Sequence, residues 1–509
     1  MNTETKIEDL NGAKALRMEN NGTVIIGAGP AGLTAAYELA KHGHTATVLE
    51  SDNIVGGIAR TASYKGYLFD MGGHRFFTKV SLVEDMWMEV LGPDMLSRPR
   101  SSRIYYRKKF FNYPLDPKNA LTGLGIFESL HCGLSYMYRR LFPVKPEPDF
   151  ETWVSNRFGT RLFEIFFRTY TEKVWGMSCK EIRSDWAAQR IKDLSLVSLV
   201  LNALRPKQKG PKDKVIKTLI NEFLYPRRGP GMMWEKVTDL VSERGTRVHL
   251  NTPVEKIFWE PGRVTAVQAN GKRISGENFI SSMPIRQLID SFEPAAPAKV
   301  RQAAAKLKYR DFLTVAMIVK ERNRFDDNWI YIHDPDVKVG RIQNYKSWSP
   351  EMVPDHSTTC LGLEYFCFEG DGLWDMDNSG LIELAQRELL QLGLIEPGDF
   401  IDGTVVRVKK AYPVYDEHYQ TVLDEIRAFL PSVPNLQLVG RNGMHRYNNQ
   451  DHSMLTAMLA ARNILGSAYD LWQVNADAEY HEAGRSVSTD ELQAMERSQP
   501  AVPARVSSD

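Results

Sequence analysis

Three glycines in the stretch VIIGAGPAG, Gly27, Gly29 and Gly32, have the spacing Gly-x-Gly-x-x-Gly, and their chemistry follows from side chains they lack. In a strand-turn-helix unit the first permits the tight turn, the second lets backbone approach a pyrophosphate, and the third lets helix and strand pack closely. The helix-forming residues 31–42 that follow would aim free amides and a positive dipole end at the phosphates. A second apolar run, residues 46–49, ends at Glu50. That carboxylate falls about 20 residues past the glycines, where the motif places an acceptor for ribose hydroxyls. A lone glycine motif is weak, because glycine turns also serve packing. Strand, helix and acid in this order point to a bound dinucleotide.

Two further glycine pairs refine the ligand. Gly56, Gly57 and Arg60, in VGGIAR, resemble the second glycine motif of flavoproteins of the amine oxidase and glutathione reductase type, which makes FAD the leading cofactor. Gly72 and Gly73 stand beside His74 in YLFDMGGHRFFT. In a flavin protein this pair would bring backbone against a flat ligand. Outside that context it reads as a glycine turn with a hydrogen-bonded histidine.

The elements that must hold these residues extend over most of the chain. A length of 509 residues predicts two or three domains. The predicted fold is α/β, with a discontinuous Rossmann-type FAD-binding domain over residues 21–85, 225–310 and 400–470. A helical domain is inserted at 86–224, and a mixed β-sheet substrate domain spans 311–399. Residues 1–20 read as a short extension without a secretory pattern, and 471–509 as a tail, disordered toward its end. Within the insertion, residues 104–111 read as an aromatic and basic hairpin. The aromatic segment 126–142 reads chiefly as a core helix, with a membrane-surface role as the lesser alternative. The Lys- and Pro-rich stretch 205–217 reads as a solvated loop or a flap.

With 64 basic and 63 acidic residues the net charge is +1, which selects neither nucleic acid nor an anionic surface overall. Cys132, Cys179, Cys360 and Cys367 form no metal-ligand or Cys-x-x-Cys pattern, so reduced thiols in a cytoplasm are expected and no metal is. No run reaches the ~18 apolar residues that a membrane span requires.

Three blocks make a family recognisable: GGHRFF at residues 72–77, YTEKVWGM at 170–177 and GRNGMHRYNNQDHS at 440–453. Together they resemble UDP-galactopyranose mutases, the last block most closely those of the eukaryotic branch, with order and spacing agreeing over about residues 20–467. The same superfamily holds amine oxidases, protoporphyrinogen oxidases and desaturases. The resemblance implies that reduced FAD attacks the anomeric carbon of a nucleotide sugar, expels the diphosphate and permits pyranose–furanose interconversion without net redox change. NAD(P)H is then a candidate reductant.

Residue by residue, the resemblance implies that Arg190 and Arg341 bind the substrate diphosphate, a task suited to the planar guanidinium fork. It implies that Tyr412 and Tyr447 lie near diphosphate and flavin, that Trp175 forms a substrate wall, and that His74 rests against the isoalloxazine. Gly73 shares that turn. Arg441, Asn449 and Gln450 would hold the flavin and its ribityl chain, and Val254 would meet the adenine. Tyr113 lies in the hairpin that touches the nucleotide. There are departures at the substrate end: Trp348 stands where a diphosphate-binding tyrosine is expected, and Asp116 replaces a glutamine. Indole keeps one donor, and a carboxylate repels phosphate.

Two functions follow. The first is a sugar-nucleotide mutase for surface polysaccharide synthesis, acting on UDP-galactopyranose or a related activated sugar. The second is an FAD-dependent oxidoreductase of the amine oxidase or protoporphyrinogen oxidase type, acting on an apolar or polyprenyl-linked substrate. Trp348, Asp116 and the aromatic segment 126–142 favour the second.

Overall fold

The computed structural model describes residues 22–78, 80–113, 115, 117–184, 222–323, 325–416 and 418–474. Strands β1 (Thr23–Ile26) and β2 (Ala46–Leu49) are buried at every position, Thr23 and Thr47 included, as near-continuous apolar strands are when both sheet faces are covered. Between them, helix α1 (Pro30–Lys41) starts on a proline whose fixed φ suits the first helical position. It is buried from Ala31 to Ala40, because helices Gly231–Glu243 and Gln450–Ile464 pack against it.

β1 and β2 lie at the centre of a five-stranded parallel sheet. Asn278–Ser281 pairs with β1 and Leu436–Leu438 adds beyond it, while Arg247–His249 pairs with β2. Strands drawn from three distant stretches make this Rossmann-type unit discontinuous. A four-stranded sheet beside it contains Val254–Glu260, Arg263–Ala269 and Lys272–Ser275, the last two joined through Asn270 and Gly271 at φ 48° and 72°. Positive φ at both turn positions matches the twist of a two-residue hairpin.

The second large sheet has seven strands, in the order Phe400–Pro413, Tyr309–Lys320, Thr358–Cys367, Arg341–Asn344, Trp329–Ile332, Ser102–Tyr106 and Lys109–Asn112. Two expected boundaries shift here. Phe400–Pro413 belongs to this sheet rather than to the nucleotide domain, because its 14 residues pair along the length of Tyr309–Lys320. The hairpin of Ser102–Tyr106 and Lys109–Asn112, expected within the helical insertion, closes the opposite edge by pairing in parallel with Trp329–Ile332. Its turn is Arg107 and Lys108, both at positive φ. Helix Asn378–Leu392 covers one face of the sheet and is capped by Asp377, which accepts from the Gly380 amide.

The insertion contributes helices Ile126–Leu141, Phe150–Phe158, Thr160–Phe163 and Thr169–Trp175, with a widened π-type turn, Glu164–Arg168, before the last. Core packing, expected for the segment 126–142, does not occur. Among the residues of Ile126–Leu141 only Cys132 is buried, while Phe127 is 87% and Leu134 68% exposed. Periodicity identified an apolar face but not what that face meets. Toward the C-terminal end, Leu471 and Trp472 of the expected tail belong to the folded body: Leu471 is buried, and Arg446 Nη1 donates to the Trp472 carbonyl at 2.6 Å. No helix among the described residues is long and apolar enough to cross a membrane, and no group of three or more metal-ligating side chains occurs among them.

Candidate functional site

The glycine turn after β1 faces the second glycine pair. The Gly56 amide donates to Ala28 O at 2.8 Å, and the Gly29 and Gly57 backbones approach so closely that a Cβ on Gly57 would lie 3.2 Å from Gly29 Cα. Gly32 has no space at all, since its Cβ would fall 1.8 Å from Gly27 O. Glu50 is buried, and its carboxylate accepts from the amides of Ala28 at 2.6 Å and Asp52 at 2.9 Å. Arg60 is held to Asp52 at 2.5 Å. Val254 begins its strand two residues after Thr252, whose amide donates to Glu50 O at 2.7 Å.

On the far side, Asn449 caps helix Gln450–Ile464 with its side chain, and the His452 ring reciprocates by accepting from the Asn449 amide. The side-chain oxygen and nitrogen of Gln450 are buried with no hydrogen-bond partner among the described residues. Buried amide atoms without partners are costly. A ligand bearing both donors and acceptors would satisfy them. The glycine cradle, the Glu50 carboxylate and the unsatisfied Gln450 amide all fit an FAD.

The Gly72–Gly73–His74 turn comes next. His74 Nδ1 lies 3.1 Å from Gly72 O, and burial, assisted by the nearby Arg441 and Arg341 charges, lowers the imidazole to about 3. It is therefore neutral at physiological pH. Arg441 is fixed by donation to the carbonyls of Asn448 and Ala411, both at 2.9 Å. Its guanidinium sits 5.3 Å from the Tyr412 ring centre and 5.0 Å from that of Tyr447. Those two rings stack on each other at 5.6 Å, and Trp175 adjoins Tyr447 at 6.3 Å. Burial and Tyr447 push Tyr412 up to about 12, against the pull of Arg341, so it is a hydroxyl donor and not a phenolate.

Arg341 leaves its strand toward Gly73 and meets the fully buried Glu364 opposite it on the neighbouring strand, with Nε 2.8 Å and Nη2 2.5 Å from one carboxylate oxygen. Burial disfavours the Arg341 charge, but Glu364 outweighs this and holds it well above the usual guanidinium range. Gln343 Nε2 donates to the other Glu364 oxygen at 3.1 Å. Trp348, expected against a diphosphate, is instead only 2% exposed and stacks between Tyr225 at 4.8 Å and Trp329 at 5.7 Å. Its indole N–H donates to Gln343 Oε1 at 3.1 Å, so it orients the Arg341–Glu364 pair from behind.

Tyr170 and Tyr331 complete the group. Their rings meet edge to face at 5.2 Å, Tyr170 stacks on His333 at 5.1 Å, and Tyr113 adjoins Tyr331 at 5.0 Å. The helix bearing Tyr170 and Trp175 is clamped to the sheet by Lys173, whose ammonium donates to the Asp334 and Val339 carbonyls at 2.6 and 3.1 Å. Arg310 Nε holds the Val174 carbonyl at 3.1 Å. The sequence-derived residues His74, Arg341, Arg441, Tyr412, Tyr447 and Trp175 thus form one cluster, with Tyr113 at its outer end. Arg190 and Asp116 lie outside the described residues, as does the stretch 205–217. Glu364, Gln343, Tyr170 and Tyr331 were not singled out in the sequence. Tyr170 alone carried a signal, as the first residue of YTEKVWGM.

A family model described as flavin containing amine oxidoreductase matches residues 30–465. Among curated relatives, the 15-cis-phytoene desaturase of Narcissus pseudonarcissus is 25% identical over 281 residues, 52% of this chain and 47% of that protein. The L-amino-acid oxidase of Crotalus adamanteus is 25% identical over 333 residues, 60% of this chain and 59% of its own. The chain thus spans about half the length of the first of these relatives. Among solved structures, reduced UDP-galactopyranose mutase superposes with a TM-score of 0.77 at 24% identity, covering 89% of this chain and 97% of that one. This is a likeness of fold.

Proposed function

The chain belongs to the flavin containing amine oxidoreductase family, and from that premise we propose that it is an FAD-dependent mutase acting on an activated sugar, with UDP-galactopyranose as the first substrate to try. The observation that carries this reading is a polar, cationic ligand surface beside the flavin turn: Arg341 and Arg441 with the hydroxyls of Tyr170, Tyr331, Tyr412 and Tyr447. Cations and phenolic donors suit a diphosphate better than a hydrocarbon.

Bound and reduced, FAD supplies an electron-rich nucleophile. The chain's own residues then have separate tasks. Arg341 and the tyrosines hold the diphosphate as the anomeric C–O bond breaks, and return it when that bond reforms on the furanose. Between these events the ring oxygen changes from that of the 5-hydroxyl to that of the 4-hydroxyl, and no electron is consumed. His74 is neutral, so it would not withdraw electron density from a flavin held at the Gly72–Gly73 turn, as an imidazolium would. Trp175 and the Tyr412–Tyr447 stack exclude water from the reacting carbon.

Two observations favour the oxidoreductase reading: Glu364 neutralises Arg341, and helix Ile126–Leu141 presents an apolar face to solvent. The test is anaerobic incubation of dithionite-reduced protein with UDP-galactopyranose and UDP-galactofuranose, products being separated by chromatography. Interconversion by the reduced sample alone, with no reductant consumed per turnover, supports the mutase. Flavin reduction by an apolar substrate, with no interconversion, supports the oxidoreductase.

A further inference from the structure

Helix Ile126–Leu141 carries a stripe of large apolar side chains that the described residues leave uncovered. Phe127 is 87%, Ile126 71%, Leu130 60%, Leu134 68% and Leu141 70% exposed, and the stripe continues into Phe142. Isolated exposed leucines are ordinary, but a contiguous patch of this size marks an interaction surface. The opposite face is anchored. Cys132 packs in a cluster with Phe111 and Phe166, and Glu128 accepts from the Arg161 guanidinium at 2.5 Å. The helix is therefore fixed to the body with its apolar side outward.

Charge around the stripe identifies what would cover it. Although the whole chain is balanced at +1, residues 107–146 contain seven Lys and Arg against two Asp and Glu. The basic groups lie at both ends of the helix. Arg107 and Lys108 form the exposed hairpin turn, and Lys109 at the start of the next strand places its Nζ 2.8 Å from the Gly123 carbonyl, just before the helix begins. Arg140 and Lys145 are exposed at the other end. The single described acid of the segment, Glu128, is already paired. An apolar stripe bounded by exposed cations is complementary to an anionic bilayer, where acyl chains take the stripe and headgroup phosphates take the cations.

We propose that this face docks the protein on the surface of a membrane containing anionic phospholipid, with the helix lying in the interface. The cluster beneath the helix includes Tyr331, so docking sets the outer end of the Arg341 site beside the bilayer. The proposal goes beyond the reading of the reaction and does not depend on it.

The test is sedimentation of the FAD-loaded protein with vesicles of phosphatidylcholine alone and with added phosphatidylglycerol. The expected result is retention on the anionic vesicles, weakened by salt, and reduced at least tenfold by the double substitution Phe127→Ser with Leu134→Ser at unchanged FAD content. Substituting Lys108→Glu with Arg140→Glu should weaken binding while leaving the apolar stripe intact. Absence of wild-type binding to anionic vesicles overturns the proposal, as does equal binding by the Ser variant. So does a dimer that the Ser variant dissociates in the absence of vesicle binding, which would assign the face to a second copy. A large fall in melting temperature of the Ser variant would assign it to the chain itself, and also overturns the proposal.

Discussion

A methyl group added at Gly29 should separate folding from cofactor binding. Gly29 has φ −79° and ψ −175°, a conformation open to any residue, and its Cβ would meet only Gly57, at 3.7 and 3.9 Å. Those are ordinary contacts. Gly29→Ala should therefore fold, with the apo protein unchanged or more stable by about 0.4–1 kcal/mol through the lower entropy of the unfolded chain. The same methyl occupies the gap between two glycine backbones where a pyrophosphate would approach. Loss of one or two charge-assisted hydrogen bonds at about 1.5–3 kcal/mol each puts the penalty near 3 kcal/mol, or about 100-fold in FAD affinity. Gly32→Ala is the control: its Cβ would sit 1.8 Å from Gly27 O, so it should lose stability whether or not FAD is present. Thermal unfolding of the apo proteins and a fluorescence titration with FAD measure both quantities. Near-normal FAD affinity in a stable Gly29→Ala protein would refute the placement of the pyrophosphate.

Replacing Arg341 with alanine leaves the buried Glu364 without its partner, so a stability loss of about 3–5 kcal/mol is expected. Glu364→Gln together with Arg341→Gln should recover part of it, and denaturant unfolding of both variants checks this. Under the mutase reading the doubly substituted protein should raise the Michaelis constant for the sugar nucleotide while retaining FAD; unchanged kinetics would remove Arg341 from the substrate. Glu50→Ala strands the buried Ala28 amide, at about 1–3 kcal/mol, and should weaken FAD retention on gel filtration. Burial raises Asp70 to about 8, against hydrogen bonds from Tyr225 and Thr61. The folded state therefore binds a proton more tightly than the unfolded chain, whose Asp titrates at about 3.9. That stability is complete below pH ~4 and is lost as pH rises toward 8. Asp70→Asn should gain on the parent protein over this interval in chemical denaturation, and a pH-independent difference would show that Asp70 ionises freely.

Local chemistry was legible in the sequence where a short segment determines it. Gly27, Gly29, Gly32 and Glu50 are joined by one strand-turn-helix-strand unit, and the structure brings the Glu50 carboxylate to the Ala28 amide in that turn. Partners from different segments were not legible. Glu364 meets Arg341 only through the register of two antiparallel strands, which no pattern around either residue encodes. Trp348 was expected at the ligand because it stands where the family carries a diphosphate-binding tyrosine; the aromatic rings of Tyr225 and Trp329 take it into the core. Phe400–Pro413 was assigned by proximity in sequence to the closing nucleotide strand, yet it follows the longer partner available to it. For Ile126–Leu141 the amphipathic pattern was visible, but the same pattern serves a core helix and an interfacial one.

The order in which the parallel sheet is filled bears on how the chain matures. The strand at one end of that sheet is Leu436–Leu438, and helix Gln450–Ile464 packs on α1, so contacts of very long sequence separation close the nucleotide unit. During synthesis, helix Gly231–Glu243 can cover part of α1 first, but the face that meets Gln450–Ile464 stays open until that helix is made near the end of the chain. Long-range closure is slow, and the exposed intermediate is open to aggregation and chaperone capture. A ribosome-bound chain ending before Leu436 lacks Arg441 and Gln450, so under the proposed cofactor reading FAD retention is expected only near the end of translation. Under that reading, cofactor binding and closure of the parallel sheet draw on the same late segment of the chain.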